Sequence, residues 1–377
     1  MNICVLSPSY PTAKTIVFVF VDQLCKAFAD KGESVTIIAP QSVTRCLIHR
    51  EPFSPLHSVI YSPLGNPIDL YRPLTFTTGN GSLKFITSAS FKFAVKRVFK
   101  KLRTKPDICY GHFWGSISTL YPLAKQNRIP LFGASGEENV ALYDNYTEDF
   151  KKELSSYLSG LISVSSKNKN ECLSLGLISE DKVEVVPNAI NLSKFRGIDK
   201  NKARRELGIQ ESDFVVAFLG QFVSRKGDMR LAQALRELDD KNIKAMFIGS
   251  GVENPMYDRT IFKGRLDHDK IPKYLTACDV FVLPTENEGC SNAIIEAMAC
   301  GLPIISTDAS FNYDILNNNN SIMVDCHDIT QIKDAILKIK GNPNLRAQLS
   351  KGALEKASML SLDRRAEIIL DFMNTRK

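Results

Sequence analysis

Short apolar runs alternate with longer segments of helical periodicity along the first half of the chain. The runs "NICVLS" (Asn2–Ser7) and "SVTIIA" (Ser34–Ala39) are typical of buried strands, and "FVDQLCKAFADKG" between them has the period of a helix that a glycine ends. After an irregular, proline-rich stretch the pattern resumes with the strands "DICYG", "IPLFGAS" and "LISVSS" and with helices from about Ser116 and about Glu138. Apolar strands separated by helices predict a parallel sheet covered on both faces.

A second series of the same kind follows the segment "VEVVPNAINLSKF". Its strands are "FVVAFLG", "AMFIGSG", "TIFKG", "VFVLP" and "PIIST", with helices between most of them. We therefore expect an α/β protein with two doubly wound units in tandem, residues 1–187 and 188–355, and a last helix in 356–377 that crosses back to the first unit. Ligands of open parallel sheets bind beyond the carboxyl ends of the strands, so a cleft between two facing sheets is the expected site.

The bulk composition agrees with a two-domain globular protein. The chain has 377 residues, of which 44% are hydrophobic and 24% charged. The apolar run "IVFVFV" is far shorter than the roughly 20 residues of a membrane span, and the first residues are typical of a strand rather than a signal peptide. Nine cysteines that are never spaced as CxxC argue against a disulfide framework or zinc site and predict a reducing, cytoplasmic compartment.

The net charge of +7 is concentrated in one segment. Residues 84–105, "KFITSASFKFAVKRVFKKLRTK", contain eight basic residues and no acid. On a helix Phe91, Val95, Val98 and Leu102 line one face. Such a helix either lies on an anionic membrane surface or packs on the core with a solvated basic back. We expect no nucleic-acid partner, because no nucleic-acid-binding motif accompanies the charge.

The segment "TENEGCSNAIIEAMACGLP" follows a predicted strand and carries two acids. Glu288 lies in the loop before a predicted helix, and Glu296 lies about one turn inside it. Gly289 permits a tight turn, and Ser291 or Asn292 is a good N-cap. Because the first N–H groups of a helix attract anions, this loop is a candidate site for the diphosphate of an extended ligand, which the two acids would contact at different points away from the phosphates.

Three further loops on the same predicted edge contribute candidate residues. "QFVSRKG" places Arg225 and Lys226 at a helix start, where the macrodipole disfavours cations, so a diphosphate leaving group is the better explanation for them. Gly249 in "GSG" is suited to a close approach between backbone and ligand. "FKGRL", which contains Lys263 and Arg265, offers backbone groups to a flat base.

These motifs together resemble a known enzyme family. The chain resembles the retaining GT-B glycosyltransferases of family 4, in particular bacterial enzymes that assemble capsule, O-antigen or other exopolysaccharide. The motifs that carry the resemblance are Glu288-x7-Glu296, "FLGQFVSRKG", "PNAIN" and "ACDVFVLPT". The resemblance implies a GT-B fold of two Rossmann-like domains, the first binding the acceptor and the second a nucleotide-sugar. It also implies front-face transfer with retention and no metal cofactor.

The resemblance also implies individual roles. Glu296 would bind the ribose hydroxyls, Glu288 the donor sugar, and the cations Arg225 and Lys226 the departing diphosphate. The remaining residues implied near the donor are His112 beside the sugar and the backbone N–H groups of Gly289, Cys290, Ser291 and Asn292.

The sequence departs from the family pattern at three positions. Gln221 stands where the family often has arginine, and Ala189 in "PNAIN" replaces a usual glycine. The first loop, "PSYPTAKTIV", lacks the usual Gly-Gly pair, so Lys14 and Thr15, with Glu137, are the candidates for the acceptor or diphosphate loop.

Other enzyme classes are alternatives to this interpretation. The triplet Asp267 to Asp269, "DHD", is the kind that holds a metal in GT-A transferases, but we reject that class, because the triplet lies late in the chain and opens a predicted helix, where aspartate is a normal N-cap. A GT-B epimerase or a degenerate nucleotide-binding subunit would have a similar donor site. We expect a transferase that uses UDP-sugar in preference to GDP-sugar, acts on a saccharide or lipid-linked acceptor, and is cytoplasmic with peripheral membrane contact through 84–105.

Overall fold

The computed structural model describes residues 1–12, 17–48, 50–78, 84–137, 139–140, 146–196 and 198–377. The chain divides into two compact units. The first comprises residues 1–164, 168–186 and 362–377, and the second comprises residues 165–167 and 187–361. Each unit is built on its own sheet with helices against it, so the predicted α/β class with two doubly wound units is confirmed.

The regular elements of the described residues are numbered here in chain order. The strands are β1 (Asn2–Leu6), β2 (Ser34–Ile38), β3 (Gln41–Ser42), β4 (His57–Tyr61), β5 (Pro67–Tyr71), β6 (Leu74–Thr75), β7 (Ile108–His112), β8 (Leu131–Ser135), β9 (Leu158–Ser163), β10 (Val183–Val185), β11 (Phe214–Phe222), β12 (Ile243–Gly251), β13 (Thr260–Gly264), β14 (Val280–Leu283), β15 (Ile304–Thr307) and β16 (Ser321–Val324). The helices are α1 (Val19–Asp30), α2 (Val43–Ile48), α3 (Lys84–Phe99), α4 (Trp114–Asn127), α5 (Glu148–Tyr157), α6 (Ser166–Ser174), α7 (Leu192–Phe195), α8 (Lys200–Glu206), α9 (Asp228–Leu238), α10 (Ile271–Thr276), α11 (Asn292–Ala299), α12 (Ile329–Gly341), α13 (Pro343–Met359) and α14 (Leu362–Asn374).

The sheet of the first unit has the strand order β10-β9-β8-β7-β1-β2-β5-β4. Successive side chains of a strand point to opposite faces, and β1 shows this directly. Ile3 and Val5 belong to a core that includes residues of α1 and α14, whereas Cys4 and Leu6 belong to a second core that includes residues of α4. The central strand is therefore buried on both faces, as its apolar sequence predicts.

The proline-rich stretch that the sequence analysis left irregular contains a β-hairpin. β4 and β5 are antiparallel, whereas every other paired strand of this sheet is parallel. The Ser62 N–H donates to the carbonyl of Asn66 at 3.0 Å, and Gly65 between them has φ of 85°. β4 lies at the edge, so its side chains are alternately exposed and half-buried, which explains why its sequence lacks a continuous apolar run.

The basic segment forms the predicted helix, but a shorter one. α3 ends at Phe99 rather than continuing toward residue 105. Val95 is fully buried, and Phe91, Val98 and Leu102 pack on the same core, so the predicted apolar face is confirmed. No helix in the described ranges is long and apolar enough to cross a bilayer.

The predicted start of a helix at about Glu138 falls on a part of the chain that is only partly described. Glu138 and residues 141–145 lie outside the described residues, and the helix observed in this part of the chain, α5, starts at Glu148. The Thr147 side chain accepts from the Phe150 N–H at its start, which is an ordinary N-cap.

The sheet of the second unit is entirely parallel, with the order β13-β12-β11-β14-β15-β16. The predicted strands are all present, and β16 was not predicted. β11 pairs with both β12 and β14, so the loops that follow these strands emerge side by side at one edge. This strand order decides which of the predicted site residues meet.

Candidate functional site

The loop after β11 lies directly against the loop after β14. Residues Ser224–Lys226 form a single 3₁₀ turn, and Gly227 ends it with φ of 78°. A Cβ at Gly227 would lie 2.4 Å from the carbonyl oxygen of Pro284. A glycine is therefore required at this position both by the left-handed backbone and by the close approach of the second loop.

Direct hydrogen bonds join the two loops. The Glu286 N–H donates to the carbonyl of Arg225 at 2.8 Å. Arg230, on the first turn of α9, donates through Nη2 to the carbonyl of Pro284 at 2.8 Å and through Nη1 to Glu286 Oε1 at 2.9 Å. These bonds fix the two strand-to-helix connections relative to each other, so the side chains that they carry are preorganised.

Both predicted cations and the first predicted acid come together here. Glu288 is only 5% exposed, and its Oε1 pairs with the Lys226 ammonium and accepts from Thr285 Oγ1 at 3.1 Å. Arg225 Nη1 lies 3.9 Å from the same oxygen and donates to the carbonyl of Asn287 at 2.6 Å. A buried carboxylate is costly unless it is paired and hydrogen-bonded, and these contacts meet that requirement.

Lys167 is a third cation beside this loop and was not predicted from the sequence. Its Nζ donates to Asn287 Oδ1 at 2.7 Å and lies 3.5 Å from the carbonyl oxygen of Glu288. Residues 165–167 follow β9 in sequence, yet they belong to the second unit. The local sequence, "SSKNKN", gives no signal of this assignment.

The helix after the acidic loop begins and ends as predicted. Ser291 is the N-cap of α11 and accepts from the Ile294 N–H, and the helix stops before Gly301, which has φ of 78°. Asn188 of "PNAIN" holds the loop by donating to the carbonyl of Cys290 at 3.0 Å. The φ angle of Ala189 is not positive, so alanine in place of the family's glycine causes no backbone strain here.

The second predicted acid, Glu296, takes part in a chain of polar side chains. Glu296 Oε1 lies 3.0 Å from His268 Nε2, and Lys194 Nζ lies 2.9 Å from His268 Nδ1. With these partners Nδ1 accepts from the ammonium and Nε2 donates to the carboxylate. His268 thus orients Glu296, a role that the sequence did not reveal because the histidine was considered only as part of "DHD".

The explanation of "DHD" as a helix cap is wrong. The N-cap of α10 is Lys270, without a side-chain cap bond, and Asp267 instead pairs with the Lys270 ammonium at 3.0 Å on the surface. Over the residues that the structure describes, no three or more His, Cys, Asp or Glu side chains are grouped so as to hold a metal ion.

The end of β12 lies beside the end of β11. Gly249 has φ of 149°, and a Cβ there would lie 1.8 Å from the carbonyl oxygen of Gly220. The backbone at Gly249 therefore approaches the neighbouring strand closely, and its approach to a ligand stays a prediction. Arg265 Nε donates to Ser250 Oγ at 2.5 Å and Lys263 Nζ to Asn254 Oδ1 at 2.6 Å, so both basic residues lie near this end of the sheet.

A buried carboxyl group, Asp228, follows the cationic turn in sequence and forms a pair with the half-buried Glu253. Asp228, the first residue of α9, is fully buried. Burial, together with the neighbouring Glu253 carboxyl, raises the pKa of Asp228 to about 7, and the backbone N–H groups of Asp228 and Val223 oppose the shift. The Asp228 carboxyl is therefore protonated through the acidic range up to near pH 7.

This carboxyl pair predicts a pH-dependent stability. Between the unfolded pKa of aspartate and about 7 the folded protein binds the extra proton, so the contribution to stability is present at low pH and is lost as pH rises through about 7. Asp228→Asn should raise the free energy of unfolding by about 2 kcal/mol at pH 8 and leave it nearly unchanged at pH 4, in urea titrations.

The matched control for this prediction is Asp258→Asn, which removes an exposed carboxylate from the same unit. A gain at pH 8 that is equally large in both variants would assign the effect to net charge and would contradict the role of the pair.

In the first unit, His112 ends β7 and is 4% exposed. Its ring packs against Phe20, Phe113 and Tyr110, with the centroid of Phe113 at 4.7 Å. Burial, with a smaller contribution from the Arg365 charge, lowers the pKa of His112 to about 3. The imidazole is therefore neutral at pH 7, and its Nδ1 has no hydrogen-bond partner among the described residues.

Glu137 has a structural role at the start of α4. Its carboxylate accepts from the Trp114 N–H at 2.8 Å, the Ser135 hydroxyl at 2.9 Å and the Gly136 N–H at 2.9 Å. Burial raises the pKa of Glu137 and these donors oppose the shift. Lys14 and Thr15, the other candidates for the first-unit loop, lie outside the described residues.

The first unit also contains a cavity of about 540 Å³ beyond the carboxyl ends of β1 and β2. Its wall includes residues from Pro8 to Thr12 after β1, residues from Pro40 to Ser42 after β2, and the aromatic rings of Phe53 and Phe91. This is the edge of a parallel sheet at which ligands are expected. The mixture of aromatic rings and polar groups suits a carbohydrate.

Two family models match consecutive parts of the chain. Residues 17–194 match Glycosyltransferase Family 4, and residues 199–356 match Glycosyl transferases group 1. The chain is 25% identical over 356 residues to TuaC of Bacillus subtilis (strain 168), which is named as a teichuronic acid biosynthesis glycosyltransferase, and the match covers 90% of this chain and 89% of that protein.

A second relative is the UDP-Gal:alpha-D-GlcNAc-diphosphoundecaprenol alpha-1,3-galactosyltransferase of Escherichia coli, 26% identical over 224 residues that cover 55% of this chain and 57% of that protein. Among solved structures, the sucrose-phosphate synthase of Thermosynechococcus elongatus matches with a TM-score of 0.80 at 20% identity, over 99% of this chain and 98% of that one. HepE of Anabaena, in complex with UDP and glucose, matches with a TM-score of 0.73 at 17% identity over both complete chains. Each half of the chain is therefore similar to one of these glycosyltransferase families, and the chain has the GT-B fold of two Rossmann-like α/β domains.

Proposed function

We propose that the protein transfers a sugar, with retention, from a nucleotide-sugar to a saccharide or lipid-linked acceptor in the synthesis of a cell-surface polysaccharide. The observation that carries this proposal is the cluster of Arg225, Lys226 and Glu288 at the carboxyl edge of the second sheet. UDP is favoured over GDP, since HepE was solved with UDP and the E. coli relative is named for UDP-Gal.

The cluster suits the departure of a diphosphate without a metal. Negative charge develops on the leaving phosphate as the bond to the anomeric carbon breaks, and preorganised cations lower that barrier. Arg225 and Lys226 supply two positive charges, and the backbone N–H groups from Gly289 to Asn292 surround the start of α11. Glu288, now paired with Lys226, would bind hydroxyls of the donor sugar.

His112 and the acceptor belong to the first unit in this proposal. A neutral imidazole both donates and accepts hydrogen bonds, which suits a sugar hydroxyl better than a cation does. The 540 Å³ cavity beyond β1 and β2 is the proposed site of the acceptor, and residues 1–187 are accordingly the acceptor-binding half. Residues 188–355 bind the nucleotide-sugar.

The surface of α3 supports a peripheral contact with the cytoplasmic face of a membrane. Lys92 and Lys96 are exposed on it and Lys100 just beyond its end, and the rings of Phe85 and Phe93 are 66% and 68% exposed. Basic residues attract anionic headgroups, and exposed aromatic rings insert at the interface. A lipid-linked acceptor would be reached from that position.

The ribose contact gives a direct test of the donor site. Glu296→Ala should weaken UDP binding about 10- to 100-fold, because hydrogen bonds to a charged group contribute about 1.5–3 kcal/mol. Isothermal titration calorimetry with UDP measures the change. Glu355→Ala removes an exposed glutamate elsewhere in the unit and should leave the affinity unchanged; equal affinities for both variants would contradict the assignment of Glu296.

The reaction class is tested with the donor alone and with the donor plus acceptor. Thermal shifts against a panel of nucleoside diphosphates identify the base, because a ligand that binds the folded state raises its stability. A transferase hydrolyses the matching nucleotide-sugar only slowly by itself, whereas an epimerase consumes it without an acceptor.

A chelator tests whether the reaction needs a metal. Turnover that persists in EDTA supports the metal-free mechanism, and turnover that EDTA abolishes overturns it.

A further inference from the structure

A second cavity of the first unit lies between α3 and the β4–β5 hairpin and is separate from the proposed acceptor site. Its volume is about 330 Å³, at the lower end of the range for ligand pockets. The wall is largely apolar and includes Leu56, Tyr71, Leu74 and Val98. Leu56 and Leu74 are 59% and 45% exposed, so apolar surface continues from the cavity to the outside.

The rim of this cavity is cationic. Arg97 and Lys101 both line it, and no acidic side chain is among the described residues of its wall. His57, which also lines the wall, stacks on Tyr71 at 4.4 Å between ring centroids. The acid next to the wall, Asp69, is engaged by His57 Nε2 at 2.6 Å.

The basic residues of α3 and of the residues just after it fall into two sets, one that lines the cavity and one that does not. Phe93, Arg97 and Lys101 recur every four positions and lie along the cavity, with Phe93 68% exposed at its mouth. Lys96 and Lys100 are exposed on α3 or just beyond it and do not line the cavity. Nonspecific adsorption to an anionic surface would involve both sets of basic residues equally. A specific site in the cavity would involve only Arg97 and Lys101.

An apolar cavity with two cations at its mouth is complementary to an amphiphile with an anionic head. We infer that this cavity binds a single anionic phospholipid, with an acyl chain against Leu56, Leu74 and Val98 and the phosphate at Arg97 and Lys101. The inference deepens the membrane contact proposed above and rests on it, and it does not depend on the transfer reaction. One bound lipid would give the contact a defined orientation.

The test uses a monomeric lipid, so that binding does not require a bilayer. Dioctanoyl-phosphatidylglycerol, below its critical micelle concentration, should bind the full chain saturably in calorimetric titrations, and dioctanoyl-phosphatidylcholine should bind at least 10-fold more weakly. Arg97→Gln/Lys101→Gln should weaken phosphatidylglycerol binding at least 10-fold, and Lys96→Gln/Lys100→Gln less than threefold. Ala94→Leu, which adds volume to the cavity wall without changing charge, should also weaken it.

Vesicles of phosphatidylcholine with 30% phosphatidylglycerol separate this inference from simple adsorption. Equal loss of vesicle binding in the two double variants, with no saturable binding of the monomeric lipid, would retain the membrane contact and overturn the cavity site. Equal affinity for the two short-chain lipids would overturn the role of Arg97 and Lys101. If Ala94→Leu does not fold, the comparison of the two double variants decides, since both replace exposed side chains.

Discussion

Lys226→Ala is expected to lower the turnover number for sugar transfer by about 100- to 1000-fold, the loss typical of removing one preorganised donor from a developing negative charge. The ammonium of Lys226 pairs with Glu288 in the unliganded protein and lies on a turn that two hydrogen-bonded loops hold in place. Because the charge on the leaving diphosphate grows only as the bond breaks, the Michaelis constant for the donor should change less than the turnover number.

A loss of stability must be separated from this loss of rate. Removing Lys226 leaves Glu288 buried with Arg225 and Thr285 as its remaining partners, so the melting temperature should be recorded for the same samples. Lys333→Ala is the matched control, since it removes a lysine of α12 that pairs at 2.8 Å with Glu237, in the last turn of α9 and at the opposite end of that helix from Arg230. Folded Lys226→Ala protein with the turnover number of the unmodified enzyme would remove Lys226 from the mechanism.

Gly249→Ala is expected to have the largest effect on stability, a loss of about 3 kcal/mol or more. The added methyl group would lie 1.8 Å from the carbonyl oxygen of Gly220, and both atoms belong to neighbouring central strands that cannot separate without losing their pairing. A loss of this size should lower the melting temperature by about 10 °C in a domain of this length, measured by calorimetry.

Gly341→Ala provides the control for the same chemical change. Gly341 is the last residue of α12, and apart from its chain neighbours and the backbone of its own helix, no atom of the described residues lies within 4 Å of the position of its Cβ. Alanine is favoured over glycine in a helix by roughly 0.5–1 kcal/mol, so this variant should be as stable as the unmodified protein or slightly more stable. If the Gly249→Ala and Gly341→Ala variants had the same melting temperature, the close contact between β11 and β12 would be disproved.

The sequence predicted the central strands and the residues that follow them, because buried parallel strands have continuous apolar runs. It did not predict which loops meet. β14 lies beside β11 although two strands intervene along the chain, and only this order brings Lys226 to Glu288. Adjacency in a sheet is a property of the whole fold, so the local pattern identified the residues but not their pairing.

Other features were missed for local reasons. The edge strand β4 exposes three of its five side chains, so its composition gives no apolar run. His268 was interpreted only as part of a metal triplet, since Lys194 and Glu296, its partners, lie 74 and 28 residues away. A polar chain between distant segments leaves no spacing that a sequence pattern can reveal.

The composition of the first unit has a consequence for the order of synthesis. The core of its sheet includes Ile369, Phe372 and Met373 of α14, although residues 187–361 belong to the second unit. A Cβ on Gly160 of β9 would lie 2.4 Å from the Phe372 ring, which shows how closely this helix packs. The ribosome therefore delivers residues 187–361 before α14, so the first unit cannot complete its core until the segment that forms the second unit has been made.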